Sequence, residues 1–371
     1  MTLATPTDAT ASNTKPSEKC PTDTSRTDAS NAAAISPDQR TLRRQAAYFQ
    51  VPFLRESLGQ LLSSIGGFFA VCAAMYVAAD YSYWISLALA PFAAGLLVRI
   101  FIIQHDCGHG AFFRSRRLND IAGYACSLLT LAPYPSWRRQ HAGHHAIWNN
   151  LDRRETGADI YSSCLTVDEY RALGTFGRLG YRVSRHPLVA NLVLPPLVFL
   201  FLYRLPFDMP AGWRRERRAV YLTNLALVVL LGGVGLVVGF DRLAEIQLPI
   251  LALASITGVA LFTVQHRSER ILWARQRDWN VVSASLYGTN YLRLSPVLRW
   301  FTGNIGLHHV HHLNPRIPNY RLQACHDAVP ELHDVVPMTL GSAFRAMFFV
   351  LWDERRQCMV TIGETKRTCV S

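Results

Sequence analysis

Apolar positions along this chain gather in long blocks rather than alternating with polar ones. Four blocks are each close to the ~20 residues an α-helix needs to cross ~30 Å of hydrocarbon. They run from about Leu58 to Ala79, Tyr83 to Ile103, Val220 to Phe240 and Ile246 to Val264. This pattern predicts two membrane hairpins, with tight outer turns at Asp80–Ser82 and Asp241–Glu245. Two weaker blocks complicate the count: Ile121 to Ala132 is too short to span, and Leu188 to Tyr203 is broken by Pro195 and Pro196. If the second crossed, the arginine-dense stretch Gly212 to Arg218 would lie outside the cell, against the positive-inside tendency. Both blocks are therefore expected to be interfacial or re-entrant helices on the cytoplasmic side.

The fold class that follows is an all-α integral membrane protein: a four-span helical bundle of two hairpins with a cytoplasmic helical cap. The cap comprises residues 104–219 and everything after His266, and both termini lie on its side. Near the C-terminus, "GSAFRAMFFVLWDERRQCMV" predicts an amphipathic helix lying along the cap. Residues 1–45 are rich in Thr, Ser, Asp and Ala and lack the plan of a signal peptide, which predicts a disordered cytoplasmic tail. Residues 46–360 form the expected domain, followed by a short tail over 361–371.

Charge alters this picture little. The net charge of +12 comes almost wholly from arginine, the only lysines being Lys15, Lys19 and Lys366. These arginines flank apolar blocks, as cytoplasmic loops do, which argues for membrane rather than nucleic acid as the partner. The eight cysteines are scattered without a CxxC pair, so neither a disulfide framework nor a thiolate metal site is expected, only free thiols.

Histidine changes the picture most. "HDCGH" follows the second span and places His105 and His109 four residues apart, on one face if the helix continues. "HAGHH" supplies His141, His144 and His145, and "HHVHH" supplies His308, His311 and His312 at the same spacing, with His309 between them. His266 lies directly after the fourth span. The three boxes hold nine of the thirteen histidines in fifteen positions, where chance would place about half a histidine. His186, His326 and His333 are single and read as structural. Three clusters on one membrane face indicate a metal site. Imidazole alone does not choose among Zn, Cu, Fe and Ni, but eight or nine neutral ligands exceed one tetrahedral zinc and suit two ions with open positions. No ExxH pair of the carboxylate di-iron bundles, HExxH helix or CxxCH haem site is present.

The boxes HxxxH, HxxHH and HxxHH resemble those of the membrane fatty acid desaturase family. The stretches "HDCGHGAFFRSRRLNDIAGY", "HAGHHAIWNNLDRRETGADIY" and "SPVLRWFTGNIGLHHVHHLNPRIPNYRLQ" look like the delta-12 (omega-6) acyl-lipid desaturases of bacteria and plastids, and the similarity covers roughly Tyr48 to Val360. The resemblance implies two non-haem irons held by His105, His109, His141, His144, His145, His308, His311 and His312, with His266 as the additional ligand. It leaves His309 beside the site and makes Asp106 and Asp159 candidates to hold imidazole N–H groups. It implies O2 as co-substrate, a fatty acyl lipid as substrate and a cis double bond as product, in a bacterial inner membrane with the metal site cytoplasmic. Trp137, Trp148, Trp300, Phe301 and Tyr320 are candidates to line the acyl chain's path. The chain carries no flavin fingerprint, four-cysteine iron–sulfur pattern or HPGG haem motif, so a separate electron donor is expected, either ferredoxin-like or a small haem cytochrome with its reductase. Two alternatives remain open at this point. One is a hydroxylase, conjugase or carotenoid ketolase on the same scaffold; the other is a histidine-rich metal transporter, although transporters place their ligands inside the spans.

Overall fold

The structure, a computed structural model, describes residues 37–154 and 163–365. A first helix, α1 (Pro37–Ala47), begins within the expected tail and runs into the expected domain, burying Leu42 and Ala46 beneath the cap, so the folded part begins earlier than the composition suggested. The first hairpin is α2 (Leu54–Tyr81) and α3 (Tyr83–His109), joined through Ser82. Two cap helices follow, α4 (Arg116–Thr130) and α5 (Tyr134–Ile147). Next come the short α6 (Val167–Ala172) and α7 (Thr175–Arg185), then a π-helical turn (Val189–Val193) that leads into α8 (Leu194–Leu200).

The second hairpin is α9 (Arg214–Val238) and α10 (Phe240–Gln265). Its turn is Gly239 alone, at φ 90°, a left-handed backbone that glycine adopts without cost. The predicted turn at Asp241–Glu245 is therefore replaced by the first turns of α10, where the polar residues sit at the helix end. The rest of the cap is α11 (Val281–Tyr287), α12 (Pro296–Phe301), α13 (His308–Leu313), α14 (Leu322–Ala328) and α15 (Leu340–Ala346).

Four helices, α2, α3, α9 and α10, are long and apolar enough to cross a membrane. Helix α3 is the central one: 56% of its most apolar window is buried, against 22–28% for the other three. It packs against α2, α4 and α10. The outward faces are bare hydrocarbon, as at Val228, Val229, Leu236 and Val237 of α9, which no protein covers. Exposed aliphatic surface of that extent is stable only in lipid. Pro91 and Pro249 lie inside α3 and α10, as spans tolerate when neighbouring helices compensate. The pair formed by α7 and residues 189–204 bends by 54° and is long and apolar enough for a broken crossing or a re-entrant loop.

The cap is clamped to the spans by small-residue contacts. A Cβ at Gly95 of α3 would stand 2.7 Å from the Phe301 ring, and within the cap one at Gly123 of α4 would collide with the Tyr134 ring. Tyr134 in turn donates to the Cys107 carbonyl at 2.8 Å, fixing α5 against the end of α3. Arg99 reaches out of α3 to the Trp300 carbonyl and Ser64 Oγ, tying in α12.

Two small sheets complete the cap: β1 (Leu165–Thr166) pairs in parallel with β4 (Leu351–Asp353), which pairs antiparallel with β5 (Cys358–Val360), while β2 (Tyr291–Leu292) pairs with β3 (Pro337–Met338). The predicted amphipathic helix near the C-terminus is thus corrected to α15 followed by a β-hairpin. Leu351, Trp352, Cys358, Met359 and Val360 are all buried, so both strand faces are apolar and neither helical nor strand periodicity shows. Asp353 Oδ1 accepts from the Arg355 and Arg356 amides and sets the turn.

Candidate metal centre

Helix α3 runs unbroken through "HDCGH" to His109, so His105 and His109 share a face. The three histidines of "HAGHH" fall in the last half of α5, and the third box is α13 itself, a six-residue helix. The Asn314 cap of α13 is extended (φ −149°, ψ 91°), the conformation that a following proline, here Pro315, imposes. His266 caps the C-terminal end of α10.

These four elements converge so that the histidine nitrogens form two groups. His105, His109, His141, His145 and His311 offer nitrogens that all lie within 4.8 Å of one another; so do those of His144, His266 and His312. His308 joins the second group, its Nε2 standing 2.9 Å from His266 Nε2 and 3.0 Å from His312 Nε2. In the first group His145 Nε2 lies 3.1 Å from His141 Nε2 and 3.0 Å from His311 Nε2. The eight box histidines expected as ligands and His266 are therefore brought together, nine in all.

The donor set fits metal ions. Two imidazole nitrogens at right angles on one first-row ion, each about 2.1 Å from it, stand about 3 Å apart, close to the spacing seen here. Burial pushes the His141, His145, His266, His308, His311 and His312 imidazoles well below the ordinary 6.5, so each keeps a neutral ring with a lone pair to give. His109 Nε2 is buried within the first group without a hydrogen-bond partner. Converging neutral nitrogens with so few protons to share are satisfied by a cation.

The surroundings orient the histidines. Asp106 Oδ1 faces His105 Nδ1 at 3.2 Å, while its Oδ2 accepts from the Asn319 backbone N–H (2.7 Å) and side-chain amide (2.8 Å). Gln60 of α2 holds the Asn319 side chain at 2.9 Å, so one chain of bonds links α2, α3 and the loop after α13. Asn319 and Gln60 escaped the sequence reading, because nothing in their spacing marks a residue that acts through a carboxylate. His309 points away from both groups and pairs with His326 at 3.2 Å; burial pushes it down to about 3. Asp159 lies outside the described residues.

An apolar channel of about 200 Å³ leads to the cluster, running between α3, α8 and α10. Leu97, Phe101, Val198, Leu251, Val259 and Phe262 wall it, and His105, His141, His144 and His308 stand at its inner end. Among the five aromatics proposed for the acyl path, only Trp137 lines this channel, stacked on His141 at 4.7 Å. Trp148 instead packs edge-on against His312, Trp300 covers Arg99, Phe301 fills the space at Gly95, and Tyr320 bonds Ser57. Proximity in sequence to a histidine box did not distinguish a channel wall from packing.

Bundle, cap and histidine cluster together are those of a membrane protein with a candidate metal site, and comparison with known proteins shows the class of enzyme to which it belongs. A sequence model of the fatty acid desaturase family matches residues 82–340, and the chain belongs to that family. A "Fatty acid desaturase" of Bacillus subtilis is 40% identical over 337 residues, covering 91% of this chain and 94% of its own. The "sn-1 acyl-lipid omega-3 desaturase (ferredoxin)" of a Synechocystis strain is 25% identical, covering 81% of this chain and 82% of its own. The "sn-1 oleoyl-lipid 12-desaturase" of a Picosynechococcus strain is 27% identical over 69% of this chain and 74% of its own. This chain is an integral membrane enzyme that desaturates fatty acids.

Proposed function

We propose that the enzyme inserts a cis double bond into a membrane-held acyl chain at the delta-12 position, converting oleoyl to linoleoyl lipid with two irons and O2. The observation that carries this reading is the apolar channel ending on the histidine cluster. The position of the double bond rests on the 12-desaturases among the relatives, one of them named for oleoyl lipid from Picosynechococcus. The overall change is –CH2–CH2– + O2 + 2 e⁻ + 2 H⁺ → –CH=CH– + 2 H2O.

An unactivated methylene has no proton that a side-chain base can remove, so the oxidant must come from iron and O2, which supply it when bound. The chain's own residues do the rest. The walls of α3, α8 and α10 align the acyl chain and exclude water. His105, His109, His141, His145 and His311 hold one iron in this reading, and His144, His266, His308 and His312 the other. Asp106 keeps the His105 proton on Nδ1, leaving Nε2 free to bind metal. Both electrons arrive from a separate donor, for which a ferredoxin is the reading favoured by the Synechocystis relative. The arginine-rich first turns of α9 favour an orientation in the bacterial inner membrane with the cap and both termini cytoplasmic.

Expression in a bacterial host whose lipids contain only saturated and monounsaturated chains tests this directly. Fatty-acid methyl esters analysed by gas chromatography with mass spectrometry should show a new diunsaturated chain with its second bond at carbon 12. A hydroxylated product, or a new bond elsewhere, would overturn the assignment.

A further inference from the structure

The histidine cluster is approached from two sides with opposite chemistry. One is the apolar channel. The other is a polar recess of about 360 Å³ lined by His109, Arg114, Arg116, Asp120, Arg138 and Arg316. It forms where α3 ends at Gly110 in the left-handed conformation (φ 68°) and meets the loop that follows α13. The two linings share no residue.

The charge of this recess is one-sided. Asp120 is its only acidic residue, and Arg138 engages it at 2.6 Å. Arg114, Arg116 and Arg316 are exposed, and among the described residues none of the three meets a carboxylate. Three uncompensated guanidiniums beside a metal-ligating histidine make a field that draws anions to this point of the surface.

We infer that this recess is the docking surface for an acidic [2Fe–2S] ferredoxin, with carboxylates of the donor pairing with Arg114, Arg116 and Arg316 and electrons entering past His109. The inference rests on reading the enzyme as an O2-dependent desaturase. Each double bond consumes two electrons, and a [2Fe–2S] donor carries one. Two reduced ferredoxins must therefore dock and leave oxidised for every O2 reduced to two waters. A recess separate from the acyl channel lets both encounters occur while the lipid stays in place. The lipid's own head group is a poorer occupant, since a chain threaded towards His105 and His141 leaves its head at the channel mouth.

The test uses full-length protein in nanodiscs of neutral lipid, comparing wild type with an Arg114→Glu/Arg316→Glu double variant. Binding of a plant-type [2Fe–2S] ferredoxin is measured by surface plasmon resonance at low and high salt. Double-bond formation is measured with ferredoxin and, separately, with dithionite and methyl viologen. The double variant should bind ferredoxin at least about tenfold more weakly and lose most of the salt dependence, with turnover on the chemical reductant unchanged. Arg114→Lys/Arg316→Lys should retain most of the affinity, and Arg355→Glu, on the C-terminal hairpin, all of it. Unaltered ferredoxin affinity in the charge-reversed variant would overturn the inference. So would equal loss with both reductants, which would mark the arginines as structural. If wild type makes no double bond with either reductant, the desaturation reading falls while the binding curves still decide the docking surface.

Discussion

His311 illustrates how much one side chain can carry. It closes the first nitrogen group, 3.0 Å from His145 Nε2, and comes from an element more than 160 residues after α5. His311→Ala, like His144→Ala in the second group, should abolish turnover and lower bound iron as read by plasma mass spectrometry, while the protein still inserts into membranes. Asp106→Asn is the subtler case, because it preserves shape but lets the side chain donate towards His105. A loss of about 10- to 100-fold in metal affinity or activity is expected, measurable by competition with a chelator. An Asp106→Asn protein with wild-type metal affinity would remove Asp106 from the ligand-orienting role.

At the scale of elements, the histidine pattern was legible because α-helical spacing carries it unaltered from sequence to structure. Positions i, i+3 and i+4 face one way whether or not the neighbouring helix is known. The channel was not legible. One of its walls, α8, arises from a run interrupted by Pro195 and Pro196, and the π-helical turn at Val189–Val193 that re-aims it has no sequence signature. Nor do strands β4 and β5 announce themselves, since their apolar run suits a buried helix as well. Gly258 of α10 tests the channel itself: it lines the cavity, and a Cβ there would meet nothing within 4 Å. It lies two turns before His266, about 12 Å along the axis at 1.5 Å per residue. Gly258→Leu should therefore fold normally yet cut conversion of oleoyl chains about tenfold, sparing shorter chains, as lipid profiling would show.

For the molecule as a whole, the spans and the cap are legible from hydropathy, but their mutual attachment is not. The glycine contact at Gly95 and the Asp106–Asn319–Gln60 bonds make that attachment, and each depends on distant partners. Metal held as proposed would add to it, because the nine histidines come from four elements that meet in the folded chain only. Stripping metal with a chelator at pH 7.5 should lower the thermal midpoint, and restoring Fe(II) anaerobically should recover it. Acidity acts in the same direction. The unfolded chain takes up protons on its histidines below about 6.5, whereas the buried rings resist protonation, so stability present above that pH is lost as pH falls. Melting curves from pH 7.5 to 5.5 should show the midpoint falling throughout.

That one cluster draws on residues as far apart as His105 and His312 also has a consequence in time. Ribosomes add roughly 5–20 residues per second, so His141 and His145 emerge about 10–30 s before His308 and His311. For that interval the newborn protein holds four of the five nitrogens of one group and at most two of the four in the other. An incomplete nitrogen set of that kind binds copper or zinc more readily than ferrous iron. Loading with the iron proposed above would therefore depend on the complete nitrogen set, which exists only once the C-terminal third of the chain has been made.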